Sequence, residues 1–117
     1  MNLREEILAI KDIEQKTVKI KKWGNKQVIV KTMTAGDRYG LIEQATDKKS
    51  GDVDTTKLTM LMLIACTYDP ATNERIFQSD DWKALRDKSS AAVEEISAVV
   101  REMNGLGGEQ QEKAEKN

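Results

Sequence analysis

Residues 58 to 68 read Leu58-Thr59-Met60-Leu61-Met62-Leu63-Ile64-Ala65-Cys66-Thr67-Tyr68, and as a helix this stretch is apolar on nearly every side. A helix without a polar face has no stable place in water, so the stretch predicts the centre of a core. It is too short for a bilayer, which asks for about 20 apolar residues. A chain of 117 residues fits one domain and can bury roughly two thirds of its unfolded surface. The other segments read as cover for this rod.

The cover can be taken in order. Residues 2–13 predict a short amphipathic helix, with Asn2 as cap and Glu5 placed to reach back to it. Leu3, Ile7 and Ile10 fall at helical spacing, beside Leu8 and Ile13. So short a helix is marginal alone, so it must dock on the domain or on a partner. Residues 17–33 predict a β-hairpin. Thr17–Lys21 alternates with period two, Gln27–Lys31 is β-branched, and Gly24-Asn25 tolerates the positive φ of a tight turn. Thr34-Ala35-Gly36-Asp37 has the form of a capping box and opens a helix to about Thr46, with Leu41, Ile42 and Ala45 inward. Asp47–Asp52 is polar and reads as the most mobile internal loop.

Asp54 or Thr55 caps the central helix, and Pro70 ends it by removing a donor and restricting Asp69. Ile76 and Phe77 are expected to return to the core. Ser79 would then cap a final helix, with Asp80 and Asp81 at its positive end. In it Trp82, Leu85, Ser89, Ala92, Ile96, Val99 and Met103 form one continuous seam. Asn104-Gly105 stops that helix. The fold class is therefore α+β: an N-terminal helix and a β-hairpin packed against a bundle of about three helices, one of them the apolar rod. Residues 1–106 form that single domain, and 107–117, without a large apolar residue, read as a flexible C-terminal tail.

Little in the sequence suits catalysis. There is no histidine, so the commonest general base and imidazole ligand are missing, and with one cysteine no zinc site of the usual kind can be built. Cys66 reads as a small core hydrophobe. Neither Gly-rich phosphate-loop pattern occurs. The acidic loop 47–54 lacks the ligand order of a calcium-binding EF-hand. Asp80 with Asp81 and Glu94 with Glu95 are adjacent on a helix, do not face each other, and read as a dipole pair and a solvated face. No cofactor or metal is expected. The N-terminus lacks the apolar core of a signal peptide and no membrane span is present, so a cytoplasmic protein is expected.

Net charge is only -1, but residues 1–34 carry eight Lys/Arg against four Asp/Glu. The basic hairpin, with Lys21, Lys22 and Lys26 around Trp23, is a candidate partner surface. Lysines that blunt an edge strand are its plainer account. A small nucleic-acid-binding or regulatory module is the alternative reading, though one aromatic is thin for stacking on bases and the overall balance is acidic.

One set of segments carries more. Arg4-Glu5-Glu6-Ile7-Leu8-Ala9-Ile10-Lys11-Asp12-Ile13 is followed by Lys22-Trp23-Gly24 and then by Val28-Ile29-Val30-Lys31-Thr32-Met33-Thr34-Ala35-Gly36-Asp37-Arg38. Leu63-Ile64-Ala65-Cys66-Thr67-Tyr68-Asp69 and Ile76-Phe77-Gln78-Ser79-Asp80-Asp81-Trp82-Lys83-Ala84-Leu85 come next, then Lys88-Ser89 and Met103-Asn104-Gly105-Leu106. In order and spacing, over residues 3–106, this set resembles the tail assembly chaperones of long-tailed (siphovirus-type) bacteriophages. Those proteins often have Pro-Glu ahead of Trp-Gly where this chain has Lys21-Lys22, so an acidic contact made there by relatives is not expected here.

The resemblance implies a non-catalytic protein that holds the tape-measure protein soluble in the host cytoplasm and helps recruit tail-tube subunits. It implies a longer frameshifted form, joined near Gly107, that binds the tube protein, and departure before the virion is complete. Reversible cover of apolar helices by modest, repeated contacts would accomplish this. The contact residues expected are Lys21, Lys22, Trp23 and Lys26 on the hairpin, or Trp82 and the outer face of its helix. Self-association is compatible with the same reading.

Overall fold

The computed structural model describes residues 2–106. Helix α1 spans Leu3–Ala9, and Asn2 Oδ1 accepts the Glu5 amide at 2.9 Å as its cap. Strands β1 (Gln15–Ile20) and β2 (Lys26–Lys31) form the expected hairpin, paired antiparallel from Gln15↔Lys31 to Ile20↔Lys26. The turn between them is one 3-10 turn, Lys21–Trp23, followed by Gly24 and Asn25 at φ +69° and +58°. Positive φ is what a glycine and an asparagine supply at least cost.

Helix α2 (Ala35–Ala45) is capped by Thr34, whose Oγ1 accepts the Asp37 amide at 3.1 Å. The apolar rod is α3 (Thr55–Cys66), capped by Asp54 through the Lys57 amide at 3.0 Å. Both helices end alike. Thr46 and Thr67 each turn to extended backbone and donate their hydroxyls back to the Ile42 and Leu63 carbonyls, both at 2.6 Å. A β-branched residue that bonds its own preceding turn leaves a helix readily. The rod is therefore shorter than the sequence suggests, because Thr67–Tyr68 leaves it as strand β3. β3 pairs antiparallel with β2 (Ile29↔Tyr68, Val30↔Thr67), giving a three-stranded sheet in the order β1-β2-β3.

The core joins one sheet face to two helices. Ile20, Val28 and Val30 from the sheet meet Leu63, Ile64 and Cys66 of α3 and Ala92, Val93, Ile96 and Val100 of the last helix. Alternation along β2 places Val28 and Val30 inward, while the opposite side is only half covered. As expected, α3 is buried at Leu61, Leu63, Ile64, Ala65 and Cys66. Among the described residues no helix is long and apolar enough to cross a membrane.

Three expectations for residues 76–106 are corrected. The last helix is broken: α4 (Trp82–Arg86) and α5 (Ser90–Met103) are separated at residues 87–89. Aspartate and serine, which occupy 87, 89 and 90, are residue types that favour helix ends over helix interiors, and Ser89 is extended at φ −55°, ψ 128° without a side-chain cap bond. The cap before α4 is Gln78, not Ser79. Gln78 and Asp81 hold each other's backbone, with the Gln78 amide donating to Asp81 Oδ2 at 2.8 Å. Ile76 does not return to the core; Phe77 does, half-buried against it.

The N-terminal helix is not packed on the bundle either. α1 buries no residue, and Leu3, Ile7, Leu8 and Ile10 remain 55–69% exposed. The 47–52 loop is laced rather than open. Asp47 Oδ1 accepts the Lys49 and Ser50 amides at 2.7 and 3.1 Å, and the Asp47 amide donates to the Asp52 carbonyl at 2.8 Å. The proposed tail 107–117 lies outside the described residues.

Candidate protein-binding surface

The hairpin turn is held from beneath. The Lys21 amide donates to Glu95 Oε2 on α5 at 3.1 Å, so Glu95 is a support for the turn and not part of a solvated face. The Lys21 and Lys22 side chains are exposed above it. Trp23 is half-buried against the core and does not stand free as a base-stacking platform would. With Lys26, Pro70, Ile76 and Phe77 it lines a cleft of about 330 Å³ between the turn and the 69–77 loop. Ile76, 41% exposed, gives that cleft an open apolar edge.

Trp82 sits apart from these residues in a different setting. It is half-buried against the core, and three cations surround its ring: Lys57 Nζ at 5.3 Å, Arg86 Cζ at 5.4 Å and Lys83 Nζ at 5.8 Å. At these distances cations are attracted to the ring's negative face. The structure thus brings Trp23 together with Lys26 but leaves Lys21 and Lys22 on the turn above and gives Trp82 surroundings of its own.

Among the described residues two further surfaces are open. One is α1. The other is a groove of about 330 Å³ between α2, α3 and α5, floored by Ile42, Leu58, Met62 and Val100 and edged by Arg38 and Arg101. Ser97 lines this groove, 3% exposed, and its hydroxyl has no hydrogen-bond partner among the described residues. The apolar residues of the groove face were legible as helix stripes; that they are left partly uncovered was not.

A non-local clamp that the sequence did not reveal closes the body beside the groove. Asn104 Oδ1 accepts the Met33 amide at 2.8 Å, while its Nδ2 donates to the Val100 carbonyl at 2.8 Å and approaches Cys66 Sγ at 3.9 Å. Burial pushes the Cys66 thiol up to about 12, only partly offset by that amide, so it stays protonated and unreactive in the folded state. The Asp47 carboxyl is held below its usual range by the Ser50 and Lys49 amides, which favour its charged form within the loop. Among the described residues no group of three or more His, Cys, Asp or Glu stands together to hold a metal.

These clefts, the open helix and the cations about Trp82 lie on a small α+β body. Among solved structures, this chain is similar to the bacteriophage HK97 tail assembly chaperone. The likeness covers 90% of this chain and 93% of that one, at a TM-score of 0.58 and 13% sequence identity. At that identity it shows a shared fold. No protein-family model and no curated protein matches the sequence.

Proposed function

We propose that this protein is a non-catalytic tail assembly chaperone of a long-tailed bacteriophage, working in the host cytoplasm. The observation that carries the reading is a fold shared with the HK97 chaperone across nearly the whole of both chains. The ordered segments from Arg4 to Leu106 support it independently. Its client is the tape-measure protein, a long helical polypeptide whose apolar stripe aggregates when bare. A form extended beyond residue 106 would bring in the tail-tube subunit.

The cleft of Trp23, Pro70, Ile76 and Phe77, with Lys26 on its rim, suits apolar side chains carried on a helix with acidic flanks. One cleft per copy gives a modest contact, and many copies along one client give strength through number while leaving each displaceable.

Co-expression with the tape-measure protein of the same phage, followed by affinity capture, tests the role. A soluble complex is expected, weakened by Ile76→Glu, whose exposed position spares the fold. Capture by neither the short nor an extended form overturns the chaperone reading; undiminished capture by Ile76→Glu overturns only the choice of cleft.

A further inference from the structure

Trp82 and the three cations around its ring make a surface separate from the Trp23 cleft. The ring packs against the core, and the cations reach it from two elements: Lys57 from the first turn of α3, Lys83 and Arg86 from α4. All three lie 5.3–5.8 Å from the ring centre. That is within one Debye length, about 8 Å at physiological salt, so an approaching charge meets them as one site.

None of the three is neutralised. Among the described residues the ion pairs are Arg75 with Asp37 and Arg101 with Glu94, and neither involves this cluster. Two acids near it in the chain are already committed: Asp54 Oδ1 accepts the Lys57 amide, and Asp81 Oδ2 accepts the Gln78 amide. Asp80 and Asp87, which flank α4, make no ion pair with these cations. Three like charges gathered about one ring repel one another. The negative face of the indole offsets part of that repulsion, and an incoming anion would offset more.

The ring also bears on which anion fits. A nucleotide base needs an indole face to stack on, and this half-buried ring already has the core and the cations against it. Carboxylates need only the cations. On a helix, side chains at i and i+3 or i+4 stand about 5–6 Å apart, close enough for two or three of them to reach cations grouped round a single ring.

We infer that the Trp82 cluster is a docking site for an acidic helical segment of a polypeptide partner, with Lys57, Lys83 and Arg86 receiving its carboxylates. The site is distinct from the Trp23 cleft, so it stands whether or not that cleft holds a client.

Trp23→Phe leaves Trp82 as the sole indole of the full chain and a fluorescence reporter at the site. The probe is an alanine-based peptide with glutamates at i, i+3 and i+4, matched by one with glutamine in their place. The glutamate peptide should change Trp82 emission saturably, with affinity falling as salt rises, and the glutamine peptide should not. Lys57→Gln, Lys83→Gln and Arg86→Gln together should weaken binding roughly tenfold. The same loss of charge elsewhere, through Lys11→Gln, Lys16→Gln and Lys19→Gln, should leave it within about twofold. Calorimetric titration of the parent chain repeats the comparison without the Trp23→Phe change. No saturable response, equal binding of the two peptides, or equal weakening by the two triple variants overturns the inference. So does tighter binding of an oligothymidylate than of the glutamate peptide at equal charge and salt, which would make the surface one for nucleic acid.

Discussion

Replacing Asn104 with alanine removes the side chain that bonds the end of α5 to the segment following β2. Two hydrogen bonds disappear, to the Met33 amide and the Val100 carbonyl, both 2.8 Å. Each is worth a net ~1 kcal/mol, and the half-buried Met33 amide left without an acceptor adds a similar penalty. The expected loss is about 2–3 kcal/mol, a large share of the 5–15 typical of a small domain. For a chain of this size it lowers Tm by about 10–15 °C.

Circular dichroism during urea and thermal unfolding measures it directly. Asn104→Asp sharpens the test. It keeps an acceptor for Met33 but sets a negative charge at the helix's negative end and gives up the donor to Val100. At neutral pH this variant should be less stable than the parent, while keeping the bond to Met33 that Asn104→Ala loses. An Asn104→Ala protein within about 0.5 kcal/mol of the parent would refute the assignment of the clamp.

Two further outcomes follow from the core. Leu63, fully buried in the middle of α3, should cost about 3–5 kcal/mol as Leu63→Ala, with the urea slope unchanged, whereas half-buried Leu58→Ala costs less; equal losses at the two positions would contradict the burial of the rod. Cys66 should resist alkylation in the native protein at pH 8 and react fully in urea. Because folding raises its pKa from 9.0 to about 12, the unfolded thiol ionises first, and stability should fall as pH rises across that window. Cys66→Ala should lack that part of the alkaline loss.

The local features were legible. Asn2, Thr34 and Asp54 cap as their side chains dictate, and Gly24-Asn25 turns where positive φ is needed. What stayed hidden was long-range or hidden in phase. The three-and-four spacing from Trp82 to Met103 persists across Asp87–Ser89, and periodicity reports which face a residue takes, not whether the helix is continuous between. Thr67–Tyr68 looked like the end of an apolar helix because its partner Ile29-Val30 is distant in sequence. Glu95 reaches Lys21 across 74 positions and Asn104 reaches Met33 across 71, contacts that no local rule encodes. Of the surface, the amphipathic pattern of residues 2–13 was visible, but the sequence could not tell whether the body covers it.

The link between α1 and β1 and the end of α5 meet at one corner, where Ile13, Met33, Met103 and Asn104 line a common hollow. Tension applied between the leading segment and the last helix therefore enters at the open end of the hairpin. A ladder loaded there peels one rung at a time, beginning at Glu14 and Thr32, instead of resisting along its whole length. Pulled along that line, the hairpin should open at a lower force than one that sheared all its cross-strand bonds together.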